Sequence, residues 1–220
     1  MSRIAIIGTS GHAQVVADII RSSGQHHLIG FLDPNRRKGD ILNGLEVLGP
    51  ESDILTLREQ HQIDACTIGV GDNAIRGRIA SNLADLGFAD FATVIHPAAT
   101  IASNVILGSG IVVCAGVCIN PGSQIGNHAL LNTNSTIDHD SSLANLSSVA
   151  PGAVLGGGCR VGEGSVIGIG AILKQGVEIG ENTVIGAGSL VLHSFGDNLV
   201  AYGSPAQLIR SRLHGEPYLK

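Results

Sequence analysis

The densest chemistry in the sequence lies in the run Asn132-Thr133-Asn134-Ser135-Thr136-Ile137-Asp138-His139-Asp140. Histidine ordinarily titrates near neutral pH. A carboxylate beside it fixes its tautomer and stabilises the imidazolium. His139, set between two acids, is therefore the candidate general base, with Asp140 as the group that raises its basicity. Asn132 stands one hexapeptide plus one residue earlier. It reads either as a group that orients substrate and polarises a carbonyl or as an asparagine ladder in a turn. The other histidines compete poorly: His26, His27, His61 and His214 read as solvated, and His96, His128 and His193 as structural. Cys66, Cys114, Cys118 and Cys159 include a C-x3-C pair rather than the C-x2-C of zinc sites. They read as reduced thiols, and no metal is expected.

A second group of candidates sits near the start. Gly8-Thr9-Ser10-Gly11-His12 follows the apolar run Ile4–Ile7 and opens an amphipathic stretch. A glycine-rich turn into a helix offers backbone N–H groups and a positive dipole end to an anion such as a diphosphate. Ser10, Gly11 and His12 are thus candidate substrate contacts, with His12 a neutral or charged donor. Asp33 ends the next apolar run, where an acid can bond a ribose hydroxyl; Asp33-Pro34 also reads as a plain turn. Gly71, in Gly69-Val70-Gly71-Asp72-Asn73, either lines the same crevice or serves turn geometry. The turn is not G-x-G-x-x-G, so a nicotinamide cofactor is not expected.

These residues must be positioned by two different architectures. Residues 3–95 alternate apolar runs and amphipathic stretches, the pattern of a small parallel α/β unit of Rossmann-like type. From Ile101 to Val191 a step of six residues meets Ile, Leu or Val at all sixteen positions, where about five were expected from composition. Four residues after each aliphatic stands Ser, Ala, Cys, Thr, Val or Ile. A period of six fits neither a helix nor a flat strand; it fits a parallel β-helix with three hexapeptides per coil and about five coils. The expected division is 1–95, 96–195 and a tail over 196–220.

Composition agrees. The 220 residues carry 31 Gly, 44% hydrophobic and only 3% aromatic residues, so the core is aliphatic. A net charge of −5 argues against nucleic acid or a polybasic membrane patch. No apolar run reaches the roughly 18–20 residues of a membrane span, and no export signal opens the chain. A cytoplasmic location is expected.

The hexapeptide array resembles the left-handed β-helix of the hexapeptide acyltransferases, which implies a homotrimer with acetyl-CoA between neighbouring prisms. The combination of the Ser-Gly-His turn, Phe31-Leu32-Asp33, Val70-Gly71-Asp72-Asn73-x-x-Arg76, Ile95-His96-Pro97, Leu131–Asp140 and Gly203-Ser204-Pro205-Ala206 is more specific. It is similar, over nearly all of residues 3–210, to the bacterial nucleotide-sugar acetyltransferases of the bacillosamine and perosamine type and their sialic acid O-acetyltransferase relatives. The resemblance implies an acetyl-CoA-dependent N-acetyltransferase acting on a nucleotide-linked amino-dideoxy sugar, most simply UDP-linked and 4-amino. It also implies that the sugar in one subunit's crevice reaches the base of a neighbour. The base falls on His139 and its acid on Asp140, substrate positions on Ser10, Gly11, His12, Asp33, Pro34 and Gly71, and acetyl-CoA contacts on Ser148, Ile169 and Ala187. Ser148 stands where relatives often carry a second histidine. Gln207 replaces a frequent Lys or Arg, so Arg210 and Arg212 either meet the coenzyme's phosphates or are solvated charges. The rivals are perosamine N-acetylation, sialic acid O-acetylation, a zinc site of the γ-carbonic-anhydrase type and a silent binding scaffold.

Overall fold

The protein is described by a computed structural model covering residues 1–218. Its first unit contains β1 (Ser2–Ile7), α1 (Gly11–Ser23), β2 (His26–Leu32), β3 (Ile41–Leu42), β4 (Leu45–Gly49), α2 (Ile54–His61), β5 (Ala65–Ile68) and α3 (Asn73–Asp85). The sheet order is β3-β4-β2-β1-β5, parallel except for the β3–β4 pair. Ile4–Ile7 are buried because helices cover the two faces of a parallel strand. Helix α1 turns Ala13, Val16, Ala17, Ile19 and Ile20 inward and stops at Gly24 (φ +61°), whose N–H bonds Ile20 O. The stretch Leu42–Leu45 is the turn of a hairpin: Asn43 (φ +49°) and Gly44 (φ +78°) supply the left-handed pair that a tight turn requires.

The second unit is a left-handed parallel β-helix of two-residue rungs running from Val94–Ile95 to Leu190–Val191. The ladder begins one step before Ile101, at Ile95. Rungs pair with the one 18 residues on up to Ile172–Leu173 with Leu190–Val191, as Cys118–Ile119 does with Thr136–Ile137, and the spacing shortens to 16 where Val184 meets Val200. The aliphatics at the period of six point inward, and Leu131, Ile137, Val149, Leu155, Ile167 and Ile185 are fully buried. Each such side chain contributes roughly 1.5–3 kcal/mol of burial. The small residues fill the space beside them, Ser135, Ala153, Cys159 and Ala171 among those with no exposed surface.

The prism has three faces, and their outward residues differ. The first face carries Val94, Val112, Leu130, Ser148 and Val166, all buried although they point out of the prism. They are covered by the first unit, whose core is continuous with the prism's. The second face carries Thr100, Cys118, Thr136, Val154, Ile172 and Leu190; the third carries Ile106, Gln124, Ser142, Arg160 and Glu178. Beyond the ladder, β6 to β22, lies a hairpin of β23 (Leu199–Gly203) and β24 (Ala206–Ser211), which extends the first face through Val184↔Val200. Residues 212–218 then run back to the junction of the two units, where the Tyr218 hydroxyl donates to Gly71 O at 3.0 Å.

Candidate active site

Asp138, His139 and Asp140 form the corner between the second and third faces. His139 Nδ1 lies 2.8 Å from Asp140 Oδ2, and both side chains are exposed. Asp138 Oδ1 accepts the His139 backbone N–H (2.8 Å) and the Asn120 side-chain amide (2.7 Å) from the coil before. The bond to Asp140, and next the charge of Asp138, hold the His139 pKa above its ordinary value. Asp138 is held low, first by Asn120 and then by the His139 N–H. Asp140 has φ +57°, in a column where Gly122, Gly158 and Gly176 otherwise supply the left-handed residue. A carboxylate is placed beside the imidazole at a backbone position that favours glycine.

The turn before α1 leaves a helix N-terminus open. Ser10 occupies the cap position without capping, its hydroxyl donating instead to Gly69 O at 3.2 Å, and the first turn holds no acid. Nothing lies within 4 Å of where a Gly11 side chain would start. His12 is half-buried, and burial, then the Arg76 charge, push its pKa down to about 4. It therefore meets any ligand as a neutral imidazole at neutral pH. Asp33 lies beside this turn and is already engaged: Thr9 Oγ1 donates to Oδ2 (2.5 Å) and Asn35 N to Oδ1 (2.8 Å). Pro34 follows on the surface.

A buried polar junction centred on Arg76 and Asn73, neither of them among the sequence-derived candidates, joins the first unit to the prism. The Arg76 side chain is 2% exposed. Its guanidinium donates to Val70 O, Gly71 O and Asn73 Oδ1 in its own unit, and to His128 O, Leu146 O and Ser148 Oγ in the prism, all at 2.8–3.1 Å. Burial lowers its pKa to about 10, which leaves it charged at neutral pH. Asn73 adds bonds to Gly164 O and Ser165 O and accepts the Ser148 hydroxyl at 2.6 Å. Gly71 therefore belongs to this junction, its carbonyl shared by Arg76 and Tyr218. The sequence did hold a trace of it: Asn73 and Arg76 are three apart on α3 and share one face.

The remaining candidates divide. Asn132, Ile169 and Ala187 share the corner between the first and second faces, where Ile169 and Ala187 are exposed and Asn132 Oδ1 accepts Thr133 N at 2.8 Å. This corner, with Gly170 and Gly188 open to solvent and exposed Ile172 beside it, presents bare backbone and an apolar strip suited to an extended, partly apolar co-substrate. Ser148 is not brought together with them; it lies under α3, 2% exposed and enclosed by Arg76 and Asn73. Any contact from it to a co-substrate requires that network to open. Arg212 is likewise committed, 5% exposed and bonded to Asn182 and Glu216 O, while Arg210 pairs with Glu216 at 2.7 Å. Both therefore already hold partners within the chain, Arg212 buried and Arg210 on the surface. Among the described residues no group of His, Cys, Asp and Glu could hold a metal.

Residues 3–83 match the family described as PglD N-terminal domain, and residues 158–193 match the bacterial transferase hexapeptide (six repeats). Fold and site thus define a hexapeptide-repeat transferase with a PglD-type first unit. GDP-perosamine N-acetyl transferase from Caulobacter crescentus, solved as a histidine-to-alanine variant in complex with CoA and GDP-perosamine, is 35% identical. The match covers 96% of this chain and 98% of that one, with a TM-score of 0.88. The acetyltransferase domain of PglB from Neisseria gonorrhoeae FA1090, in complex with acetyl coenzyme A, is 36% identical over 94% of this chain and 98% of that one, with a TM-score of 0.86. UDP-N-acetylbacillosamine N-acetyltransferase of Bacillus subtilis (strain 168) is 34% identical over 109 residues, 49% of each chain, so that alignment spans about half of the curated relative. The chain belongs to the nucleotide-sugar N-acetyltransferase family.

Proposed function

We propose that the protein transfers the acetyl group of acetyl-CoA to the amino group of a nucleotide-activated amino-dideoxy sugar, a UDP-linked 4-amino-4,6-dideoxy sugar on the reading made from its motifs. The observation that carries this is the exposed His139–Asp140 pair on a prism corner, in a chain whose open helix N-terminus offers a diphosphate site elsewhere. The sugar's amine attacks the thioester carbonyl; the C–N bond forms, and the C–S bond breaks as the CoA thiolate leaves. His139 takes the proton that the nitrogen loses and returns it to solvent or to the departing thiolate. Asp140 stabilises the imidazolium. A backbone N–H at a corner holds the thioester oxygen as it gains charge.

The first unit covers the first face, and the His139 corner is the one opposite that face. One chain therefore holds its crevice and its base on different sides of the prism. This supports a homotrimer in which the crevice of one subunit faces the base of the next, with acetyl-CoA lying along the Asn132–Ile169–Ala187 corner. Among the described residues no helix is long and apolar enough to cross a membrane.

A GDP-linked perosamine is the second reading, favoured by the relative solved with GDP-perosamine. Thiol release from acetyl-CoA, measured against UDP- and dTDP-4-amino-4,6-dideoxy sugars, GDP-perosamine and free sialic acid, separates the possibilities. Turnover on an amino sugar that falls roughly 10²–10⁴-fold in His139→Ala, with ligand binding retained, is the expected result. Turnover on sialic acid alone moves the reaction to O-acetylation, and silence on every acceptor removes the reading.

A further inference from the structure

Three glycines, Gly156, Gly157 and Gly158, form the corner one coil beyond Asp138, His139 and Asp140. Two of them are required by the backbone. A side chain at Gly156 would start 2.7 Å from Gln175 N and 3.0 Å from its Cα, and Gly158 has φ +69°. Gly157 is different. Its φ is not in the left-handed region, and the three nearest atoms to an added methyl all belong to the His139 ring: Nε2 at 2.6 Å, Cε1 at 2.7 Å and Cδ2 at 3.1 Å. The equivalent position in the other coils carries Ser103, Pro121, His139, Gln175 and His193, so the corner itself accepts side chains there. What glycine supplies at 157 is room for the imidazole.

The coil before supplies the other half. Asn120, 18 residues ahead of Asp138, donates to the carboxylate that in turn holds the His139 backbone N–H. Asp140 grips the ring from the following residue.

We propose that Gly157 and Asn120 are positioning residues for His139: Gly157 is the slot in which the imidazole lies, and Asn120 anchors, through Asp138, the backbone that carries it. Neither need touch substrate. The role of His139 as base rests on the function proposed above, but the slot and the anchor do not. The charged groups facing the ring are Asp140 and Asp138. The buried Cys159 thiol, held neutral, lies one coil on near Asp138. Lys174 is two coils away on the same corner, and Arg160 on the adjoining face pairs with Glu178 at 3.8 Å.

The test uses the full chain carrying Gly157→Ala, Asn120→Ala or, as a control at the equivalent corner position, Gln175→Ala. His139 is titrated by NMR with ring-labelled histidine, its signal assigned through His139→Gln, and kcat and KM are measured beside it. In Gly157→Ala the methyl lifts the ring from Asp140. The titration midpoint is expected to fall toward the ordinary histidine value, with kcat at least tenfold lower, both KM values kept and the melting temperature within about 2 °C. Asn120→Ala is expected to lower the midpoint in the same direction, and Gln175→Ala to change neither quantity. A Gly157→Ala protein with wild-type midpoint and kcat overturns the slot, as does one that simply melts many degrees earlier. An unmoved midpoint in Asn120→Ala overturns the anchor. If the wild-type chain shows no acetyl transfer, the function fails while the midpoints still decide the positioning roles.

Discussion

Two carboxylates of unequal standing surround His139. Asp140 bonds the ring directly, whereas Asp138 acts through its charge and through the backbone N–H it holds. Both favour the protonated imidazole, so the neutral, proton-accepting form is populated only above a midpoint raised from the ordinary histidine value. The proposed reaction should therefore lose rate as pH falls through that raised midpoint. Asp140→Asn removes the stronger stabiliser of the imidazolium, and the acid limb of kcat/KM should move to lower pH while the maximal rate drops. A pH–rate profile of the two proteins checks this, and an acid limb that stays in place in Asp140→Asn denies the pair its role.

At the scale of the element, the ladder makes sharp distinctions between neighbouring residues. Leu155 is fully buried inside the prism and Ile106 is 62% exposed on its third face. Leu155→Ala should cost about 2–5 kcal/mol, since coils stacked on both sides cannot collapse into the cavity. Ile106→Ala should stay within about 0.5 kcal/mol. Urea unfolding of both, with unchanged slopes, is the measurement. The open end of α1 behaves differently, through protonation. His12 has a folded-state pKa near 4 against about 6.5 unfolded, so above 6.5 both states are neutral and nothing is gained or lost. As pH falls from 6.5 toward 4 the unfolded chain takes a proton that the folded one refuses. Stability is lost over that window, by an amount on the order of 3 kcal/mol at most. His12→Gln should flatten this part of the stability–pH curve relative to wild type, as thermal melts between pH 7.5 and 4.5 would record.

At the scale of the whole molecule, the Arg76 junction and the placement of the proposed crevice and base carry the predictions. Arg76→Met removes every donor of a buried guanidinium and leaves the Val70, His128 and Leu146 carbonyls without a partner, while Gly71 O keeps the Tyr218 hydroxyl and Asn73 keeps Ser148. A loss of roughly 3 kcal/mol or more is expected, most of it visible as earlier separation of the two units in a melt followed by fluorescence and circular dichroism. Subunit complementation addresses the proposed assembly. Gly11→Leu should fill the crevice without disturbing the fold, as nothing stands within 4 Å of that position. His139→Ala should remove the base. Each protein alone is expected to be inactive, and co-refolded mixtures should recover part of the activity, because some crevices then face an intact neighbouring corner. No recovery, with mixed oligomers shown to form, would place crevice and base in one subunit.

Much of this was written in the chain order. A repeat of six with aliphatics at every step determines a parallel β-helix, because only a rung-and-corner geometry returns the same face inward every sixth residue. The isolated Asp138-His139-Asp140 run marks the candidate base, since charged triplets are foreign to such a ladder. The Gly8–His12 turn between an apolar strand and an amphipathic helix likewise announces its open N-terminus. Local pattern suffices for these because the contacts involved are local or strictly periodic. What only the tertiary structure decided arises from contacts between distant segments. The apolar outward residues Val112, Leu130 and Val166 have no meaning until the first unit lies on them, and Arg76, Ser148 and Tyr218 meet only through that docking. Asn120 and Gly157 reach His139 solely because coils stack 18 residues apart. The separation of the His139 corner from the Gly8–His12 turn comes from which face the first unit covers, a choice made by packing across the whole chain and carried by no single stretch of it.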